Sequence, residues 1–442
     1  MGKRRRRLSA FQTIILCFGG TILLGALLLM LPIASRSGTV TPFGDTLFTA
    51  TSAVCVTGLI VRDTATHWSA FGQVLILLLI QIGGLGVITV AASFAILSGR
   101  KIGLWQRSTM QEAIAAQKLG GVVRLTGFIL RMTFAIELLG AICMLPSFCS
   151  RFGLRGVWMA VFHAISAFCN AGFDLLGTPE AKYVSLTVLS DNAVIQTVVM
   201  LLIVAGGLGF LTWDDLLTHK FRVRRYRMQS KVILVTSLLL ILVPALLFLC
   251  RDFAALPTKE RILASLFQSV TARTAGFNSQ DLNTMTDVGR AVMIVLMLIG
   301  GSPGSTAGGM KTTTAAVLFA SAAAAFRRRN DAQFFGRRID HTAVRNAAVI
   351  LVLYLAMFFG GAIVISAVEG LPLGVCLYET ASAVGTVGLT LGITPSLGTL
   401  SRLILMALMF FGRVGGLTLI YAAISEKRND LSRLPQETIT VG

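Results

Sequence analysis

The chain has 442 residues, of which 55% are hydrophobic and only 13% are charged. A soluble domain has roughly 45 to 50% apolar and about 25% charged residues, so this composition excludes an ordinary soluble protein. The formal net charge of +19 does not indicate nucleic-acid binding, because the basic residues lie in short loops between apolar runs and not on a face interleaved with aromatic side chains.

Apolar runs recur along the chain, and each is long enough for a helix that crosses a bilayer core of about 30 Å. They include residues 14–32, 74–97, 194–211, 232–250 and 403–424. The first run follows the basic segment 3–7, as in a signal peptide, but its length and the lack of a small-residue cleavage site favour a retained first helix. The sequence therefore predicts a multi-pass membrane protein.

One pattern occurs four times: an apolar helix, a short amphipathic segment, a polar turn with a glycine, and a second apolar helix with internal glycines. The turns span residues 54–59, 168–173, 272–277 and 384–389. Their glycines are 114, 104 and 112 residues apart. We therefore divide the chain into four repeats, at residues 1–100, 101–220, 221–330 and 331–442.

The segment before each turn has only about 11 to 13 residues, which is too short to cross a bilayer. These segments are 43–53, 157–167, 259–271 and 373–383. Each is predicted to be a re-entrant half-helix, and irregular backbone at membrane depth must be buried in protein or line water. The predicted fold is an all-α integral membrane protein with eight transmembrane helices around a central pore.

The distribution of charge predicts the orientation in the membrane, because Lys and Arg concentrate in cytoplasmic loops. The loops and chain ends without a half-helix hold 25 of the 39 Lys and Arg residues and only 8 acidic residues. The loops with half-helices hold 11 basic and 11 acidic residues. The half-helices should therefore enter from outside, with both termini in the cytoplasm.

The turns have the chemistry of a cation pathway. A cation that leaves water needs oxygen ligands, and rings of backbone carbonyls supply them without fixed charge. Glycine allows the required backbone conformations and a close approach to an axis. The half-helices would direct the negative ends of their dipoles inward, which favours a cation over an anion.

The four turns carry a resemblance to a known family. Residues 386–390 read TVGLT and resemble the TVGYG filter of potassium channels, and the whole chain resembles the Ktr/Trk/HKT superfamily of potassium uptake proteins, especially its KtrB-type subunits. The resemblance implies K+ binding at Gly58, Gly172, Gly276 and Gly388. It implies a selectivity filter made of Val56, Thr57, Gly58, Asn170, Ala171, Gly172, Thr274, Ala275, Gly276, Thr386, Val387 and Gly388. Serine at the first of these glycines accompanies Na+ preference in plant relatives, so Gly58 implies K+ selectivity.

The second apolar helix of the third repeat contains a stretch too rich in Gly, Ser and Pro to stay helical. We call residues 300–311 the third-repeat loop. The family resemblance implies a gate here, formed by Gly300, Gly301, Ser302, Pro303, Gly304, Ser305, Thr306, Ala307, Gly308, Gly309 and Lys311, together with Arg413. A glycine-rich kink that only packs helices is the alternative. A phosphate-binding loop is excluded because Met310 separates Gly309 from Lys311.

Two charged residues in apolar surroundings are candidates for function. The resemblance places Arg413 near the pore, where it would hold the gate, and the alternative is a structural clamp to Glu379 or to a carbonyl. Lys311 could instead extend to the cytoplasmic interface. Glu137 and Arg131 are six residues apart and do not share a helix face, so each needs other partners. Asn170 and Asn278 could add ligands or brace the turns.

The resemblance also implies partners: a second copy of the chain, and a cytosolic KtrA-type ring that binds the nucleotide. The basic loops could contact that ring or anionic lipids. No cofactor is expected besides the transported K+, and the sequence leaves open whether Na+ is coupled to uptake. An enzyme is not predicted, because no catalytic constellation emerges. The alternative function is a secondary transporter with a midplane site at the broken third-repeat helix.

Overall fold

The computed structural model describes residues 9–87, 89–91, 109–112, 121–220, 222–416 and 418. The basic segment 3–7, the first predicted repeat boundary at 100–101 and the C-terminal tail lie outside these residues. The described chain is mostly helical, with one short β-hairpin. The helices are described below in four successive sets, numbered as the predicted repeats.

The first repeat shows the basic pattern. Its helices are α1 (Ala10–Leu29), α2 (Phe43–Cys55), α3 (Thr64–His67) and α4 (Ala70–Leu85). Ser9 caps α1 through a reciprocal pair of hydrogen bonds with Gln12, which satisfies two free N–H groups at the helix start. Helix α2 is the predicted half-helix and packs against both α1 and α4.

The second repeat has the same order with longer elements. Its helices are α5 (Val122–Phe152), α6 (Arg155–Phe168), α7 (Ala193–Gly207) and α8 (Phe210–His219). The half-helix α6 turns back against α5 over a short connection, and its other side faces α7. Helices α7 and α8 are bent by 97° at their break.

The third repeat contains α9 (Met228–Cys250), α10 (Thr258–Thr271), α11 (Asp287–Leu298) and α12 (Thr312–Phe326). Helix α10 is the half-helix. The break between α11 and α12 coincides with the third-repeat loop, as the sequence predicted. A hairpin of β1 (Gln333–Phe334) and β2 (Arg337–Arg338) then leads to the fourth repeat.

The fourth repeat consists of α13 (His341–Glu369), α14 (Leu373–Gly385) and α15 (Thr399–Val414). It closes the molecule, because α15 packs against the first half-helix α2. All four half-helices match the predicted segments to within two residues at either end. Their last turns are almost fully buried, so they form the centre of the molecule.

Within the described residues, length and apolar composition identify four helices that can each cross a membrane, or five if the bent pair α7 and α8 counts as one crossing. The four are the first helices of the repeats, α1, α5, α9 and α13. Large apolar side chains such as Leu24, Leu139 and Leu246 are about 60% exposed on these helices. Such a surface suits lipid and not water, and the molecule is therefore a multi-pass membrane protein.

Candidate ion pathway

The four glycine turns share one backbone conformation. In each turn the residue two positions before the glycine is left-handed, and so is the glycine. The φ angles of the first group are 57° at Val56, 59° at Asn170, 69° at Thr274 and 52° at Thr386. Those of the glycines are 93° at Gly58, 68° at Gly172, 81° at Gly276 and 96° at Gly388. Positive φ is rare for β-branched residues, so its recurrence at three of them indicates a conformation imposed by the surroundings.

The turns also form a closed ring. A Cβ atom added to Gly58 would lie 2.5 Å from the carbonyl oxygen of Ala171, and one added to Gly172 would lie 2.7 Å from that of Ala275. In the same way Gly276 abuts the carbonyl of Val387, and Gly388 abuts that of Thr57. Each glycine thus contacts the residue before the glycine of the next repeat. Only glycine fits at these four positions.

Hydroxyl groups from the half-helices brace the turns in two ways. In the first and fourth repeats, Ser52 and Ser382 accept hydrogen bonds of 3.0 Å from the N–H of Gly58 and Gly388. In the second and third repeats, Ser166 and Thr271 instead donate hydrogen bonds of 2.7 Å to the carbonyls that follow the glycines, those of Phe173 and Phe277. The four turns therefore share a backbone conformation but are braced by two different hydrogen-bond patterns.

The two asparagines that the sequence left open have different surroundings. The Asn170 amide turns its nitrogen toward the carbonyls of Phe168 and Ile203, at 3.2 and 3.3 Å, and its oxygen accepts from Thr274 Oγ1 at 3.3 Å. This side chain ties the second turn to the third. The backbone N–H of Asn278 donates to Ser185 Oγ. The geometry thus gives Asn170 a bracing contact.

The internal glycines of the second apolar helix lie at residues 83–86, 206–209 and 412–416 in the first, second and fourth repeats, and we call each set the glycine cluster. The cluster lets this helix pack against the end of the half-helix. Gly83 abuts the carbonyl of Val54, and Gly412 abuts that of Val384. Gly206 abuts the carbonyl of Phe168. A side chain at any of these positions would displace a carbonyl in the last turn of a half-helix. These glycines therefore determine how closely each half-helix packs against the helix that follows its turn.

The structure corrects one prediction from the sequence. The second helix was expected to be continuous in the first, second and fourth repeats and broken only in the third. Instead α4, α7 and α15 all end at the glycine cluster, where Gly86, Gly209 and Gly415 have φ of 86°, 88° and 90°. Positive φ cannot continue a right-handed helix. In the first and fourth repeats the hydropathy profile did not reveal these breaks because the segments beyond them are also apolar.

The third-repeat loop lies against the breaks of the other repeats. Its Ser302 and Thr306 N–H groups donate to the carbonyls of Gly207 and Gly206, at 3.0 and 3.2 Å. Gly309 N–H donates to the carbonyl of Gly412 at 3.2 Å. The loop also approaches the fourth turn, because a Cβ on Gly308 would overlap the side chain of Thr386. It therefore occupies the space directly behind the ring.

Arg413 joins three repeats. Its guanidinium donates to the carbonyl of Thr306 in the third-repeat loop and to the carbonyls of Gly83 and Gly84 in the first repeat. Of the two clamps considered from the sequence, the carbonyl contact is the one present. Glu379 has other partners, since it accepts from Thr390 and Thr394.

Lys311 turns back on its own loop. Its Nζ donates to the carbonyls of Ala307 at 2.8 Å and Gly308 at 3.4 Å. The idea that it extends to the cytoplasmic interface is therefore wrong, because its ammonium group is bound within the loop. The loop is closed at its base by hydrogen bonds from Gly300 N–H to Met310 and from Thr312 N–H to Gly301.

Sequence reasoning missed a polar cluster behind the second turn. Gln81 Nε2 donates to the carboxylate of Glu137 at 3.1 and 3.3 Å, and Cys169 Sγ donates to Gln81 Oε1 at 3.5 Å. Cys169 lies three residues before Gly172. Arg131 makes its contact with the carbonyl of Gly127 on its own helix. The sequence had marked Glu137 as a residue in need of partners, but not Gln81, a glutamine in an apolar run that supplies the contact.

Charged residues on the side predicted to face outward connect neighbouring repeats. Asp45 accepts from Arg62 at 2.8 Å and from Arg402 of the fourth repeat at 2.9 Å. Asp63 accepts from the N–H of Tyr183 in the second repeat. Asp174 lies two residues beyond Gly172. Burial raises the pKa of its carboxyl to about 7, the N–H of Leu176 opposes that rise, and the charge of Asp63 adds to it.

Comparisons with known proteins agree with this geometry. The family model for TrkH, described as a cation transport protein, matches residues 4–432. The fold resembles the crystal structure of the potassium transporter TrkH from Vibrio parahaemolyticus, with a TM-score of 0.75 over 95% of this chain and 86% of that one, at 18% identity. The molecule is a membrane cation transporter and not an enzyme.

The relatives define the family more narrowly. The potassium/sodium uptake protein NtpJ of Enterococcus hirae is 40% identical over 100% of this chain and 99% of its own length. The Ktr system potassium uptake protein B of Bacillus subtilis is 35% identical over 98% and 96%. The chain belongs to the TrkH family of cation transport proteins and is a KtrB-type member of the Ktr/Trk superfamily.

Proposed function

We propose that this chain is the K+-selective translocating subunit of a Ktr-type potassium uptake system in the cytoplasmic membrane. The observation that carries the proposal is the closed ring of four turns, in which every glycine contacts a carbonyl of the next repeat. Such a ring offers uncharged oxygen ligands from four sides. The printed names of the relatives, potassium/sodium uptake and Ktr potassium uptake proteins, point to the same cation.

In this proposal each repeat crosses the membrane twice. The first crossing is the long helix, and the second is the helix that follows the turn, continued beyond its glycine break. The eight crossings place both termini in the cytoplasm. K+ loses its water at the carbonyls of residues 56–58, 170–172, 274–276 and 386–388 and then meets the third-repeat loop, which acts as the gate.

The partners are part of the proposal. A second copy of the chain and a cytosolic nucleotide-binding ring of the KtrA type would complete the system. Arg413 would hold the third-repeat loop closed until the ring moves it, since its hydrogen bonds reach across to the first repeat. Whether Na+ accompanies K+ is a separate question, which the flux experiment below also answers.

The test is Rb+ flux into proteoliposomes with Na+ as competitor. Gly58→Ser and Gly388→Ser should each lower the selectivity for Rb+, because the added side chain displaces the carbonyls of Ala171 and Thr57. Gly38→Ser is a matched control, since Gly38 also has positive φ but has no atom within 4 Å of an added Cβ. It should leave selectivity unchanged.

Two results would contradict the proposal. Selective flux that survives both ring substitutions would show that the ring does not select the ion and would favour a transporter with a midplane site at the third-repeat loop. If Gly38→Ser lost as much selectivity as the two ring variants, the loss would come from backbone strain in a turn and not from contacts within the ring. Flux that requires Na+ in the same liposomes would establish coupling.

A further inference from the structure

A cavity lies beside the third-repeat loop, on the side away from the ring. Its volume is about 370 Å³, and it is lined by the first turns of α9, α12 and α13 together with the β-hairpin and the loop itself. Representative lining residues are Met228, Val232, Pro303, Val317, Ala347 and Ile350. Helices α9 and α13 both begin here, so the cavity lies at the predicted cytoplasmic end of the helices.

The lining is apolar with a few polar groups. Valine, isoleucine, methionine and phenylalanine side chains surround most of the space, and Asn346 and Thr313 are among its polar groups. An apolar cavity that opens at the side of a membrane protein matches the chemistry of an acyl chain. It does not match a nucleotide or another compact polar ligand.

A basic cleft is formed by residues that shortly precede α9 in the sequence, and α9 lines the cavity. Arg222, Val223, Arg224 and Arg225 line an open space of about 450 Å³ just before α9 begins. The three arginines are exposed and form no salt bridge within the described part of the chain. The nearby acidic residues are engaged elsewhere, because Asp214 and Asp215 pair with Arg227. The cleft therefore presents uncompensated positive charge.

Lys231 connects the cleft to the cavity. Its Nζ donates to the carbonyl of Arg224 at 3.0 Å and lies 5.9 Å from the ring centroid of Phe335 in the hairpin. Phe334, the neighbour of Phe335, lines the cavity. Val223 and Phe335 are each 56% exposed. Exposed apolar and basic side chains side by side are typical of the lipid headgroup region.

We propose that an anionic phospholipid binds at this place, with its headgroup on Arg222, Arg224 and Arg225 and one acyl chain in the cavity. Basic pockets between transmembrane helices on the cytoplasmic side bind such headgroups. The lipid would contact Pro303 of the third-repeat loop from outside the pathway. The lipid site is not part of the proposed function. Only the flux experiment on this site rests on the proposed function, and the binding experiments do not.

The contact with Pro303 gives the lipid a means to influence the loop. The neighbouring Gly304 carbonyl accepts from Phe210 N–H at 2.8 Å, and a Cβ on Gly209 would lie 2.7 Å from the carbonyl of Pro303. This part of the loop is thus held between the break in the second repeat and the cavity. An acyl chain that fills the cavity stabilises this arrangement, and an empty cavity leaves one side of Pro303 without contacts.

Binding is measured by native mass spectrometry of the full chain titrated with dioleoyl phosphatidylglycerol, with dioleoyl phosphatidylcholine for comparison. Replacing Arg224 and Arg225 together by Gln should weaken phosphatidylglycerol binding roughly 30-fold, as expected for two charges at a membrane surface. Arg328→Gln with Arg329→Gln removes two exposed arginines outside the cleft. This control should change binding less than about twofold.

The cavity is tested independently. Ala343 lines the cavity and is exposed, so Ala343→Phe should occupy the space without disturbing the core. It should weaken binding on the order of tenfold, the equivalent of about two buried methylene groups. Ala348→Phe, at an exposed position of the same helix that does not line the cavity, is the matched control and should bind lipid normally.

Three binding results would overturn the assignment. Equal weakening in both arginine pairs would indicate diffuse charge attraction, and normal binding by Ala343→Phe would show that no acyl chain enters the cavity. Equal affinity for the two lipids would show that the arginines do not select a headgroup. If the Arg224 and Arg225 variant instead loses a soluble protein partner while it binds phosphatidylglycerol normally, the cleft is a protein docking surface.

Flux then tests the link to the loop. Wild-type Rb+ flux should change when phosphatidylglycerol replaces part of the phosphatidylcholine, and flux through Ala343→Phe should not respond. A lipid response that survives Ala343→Phe would refute the action through Pro303. If neither the wild type nor Arg413→Gln, in which the contacts of Arg413 with the loop are removed, supports selective flux, the proposed function fails, and the binding measurements still decide whether the lipid site exists.

Discussion

The ring of glycine turns and the third-repeat loop lie against each other but are held by different kinds of contact. The ring repeats one geometry four times, and backbone atoms from neighbouring repeats meet where no Cβ fits. The third-repeat loop occurs once, and a few backbone hydrogen bonds together with Arg413 attach it to its surroundings. Packing that leaves no space resists displacement, whereas a few hydrogen bonds exchange readily.

This comparison suggests that selection and gating can be altered separately. Changes in the packing of the ring and its supports should cost stability or selectivity. Changes in the attachments of the loop should alter how often the pathway is open and leave selectivity intact. The following predictions test that division.

The largest effect is expected for Gly206→Ala. The added methyl group would overlap the carbonyl of Phe168 and approach Thr306 Oγ1 to 2.7 Å and the side-chain amide of Asn170 to 2.9 Å. Overpacking of this kind destabilises by about 3 kcal/mol. Thermal unfolding in detergent should show a lowered midpoint. Gly20→Ala, on a helix surface with no atom within 4 Å, should unfold at or slightly above the wild-type temperature, and equal losses in the two variants would refute the packing argument.

Arg413→Gln is expected to have the second-largest effect. It removes the charged hydrogen bonds to the carbonyls of Thr306 and Gly83, at a cost of about 2 kcal/mol to the closed arrangement. That is roughly a 30-fold shift toward the open state. Rb+ flux without any cytosolic partner should rise, while the Rb+ to Na+ ratio stays at the wild-type value. A changed ratio would show that the ring and the loop are not separable.

Lys311→Met should act in the same direction but less strongly. Within the described residues, the hydrogen bonds of Lys311 Nζ go to carbonyls of its own loop, so its loss loosens the loop without detaching it. We expect a change of about 1 kcal/mol, or roughly fivefold in flux. An effect as large as that of Arg413→Gln in the same assay would show that the internal shape of the loop, and not its attachment to the first repeat, keeps it closed.

The smallest effect is expected when the external pH is lowered from 8 to 6 and half-saturation by Rb+ is measured. The pKa of Asp174 is raised to about 7, so its carboxyl is charged at pH 8 and mostly neutral at pH 6. Loss of one negative charge near the outer end of the second turn weakens cation attraction by roughly 0.5 kcal/mol. Half-saturation by Rb+ should therefore need about twice the concentration at pH 6. Asp174→Asn should show the higher value at both pH values, and an unchanged pH dependence in this variant would assign the effect to another group.

The sequence by itself determined the repeated architecture. Four glycines at nearly constant spacing located every turn, and segments too short to cross a bilayer located every half-helix to within two residues. These features are local, because a glycine with positive φ and an apolar run of fixed length are properties of the chain itself. The third-repeat loop was evident for the same reason, since its composition cannot form a helix.

Only the tertiary structure decided how the repeats meet. The sequence does not show that Gly58 contacts Ala171 and that Gly388 returns to Thr57, because these residues are far apart in the chain. It also left two partners open for Arg413, and the choice depends on which carbonyls come within reach once the repeats are assembled. The breaks after α4 and α15 were hidden because apolar residues continue on both sides of them. Contacts between distant segments depend on the packing of whole helices, and no local pattern of residues specifies them.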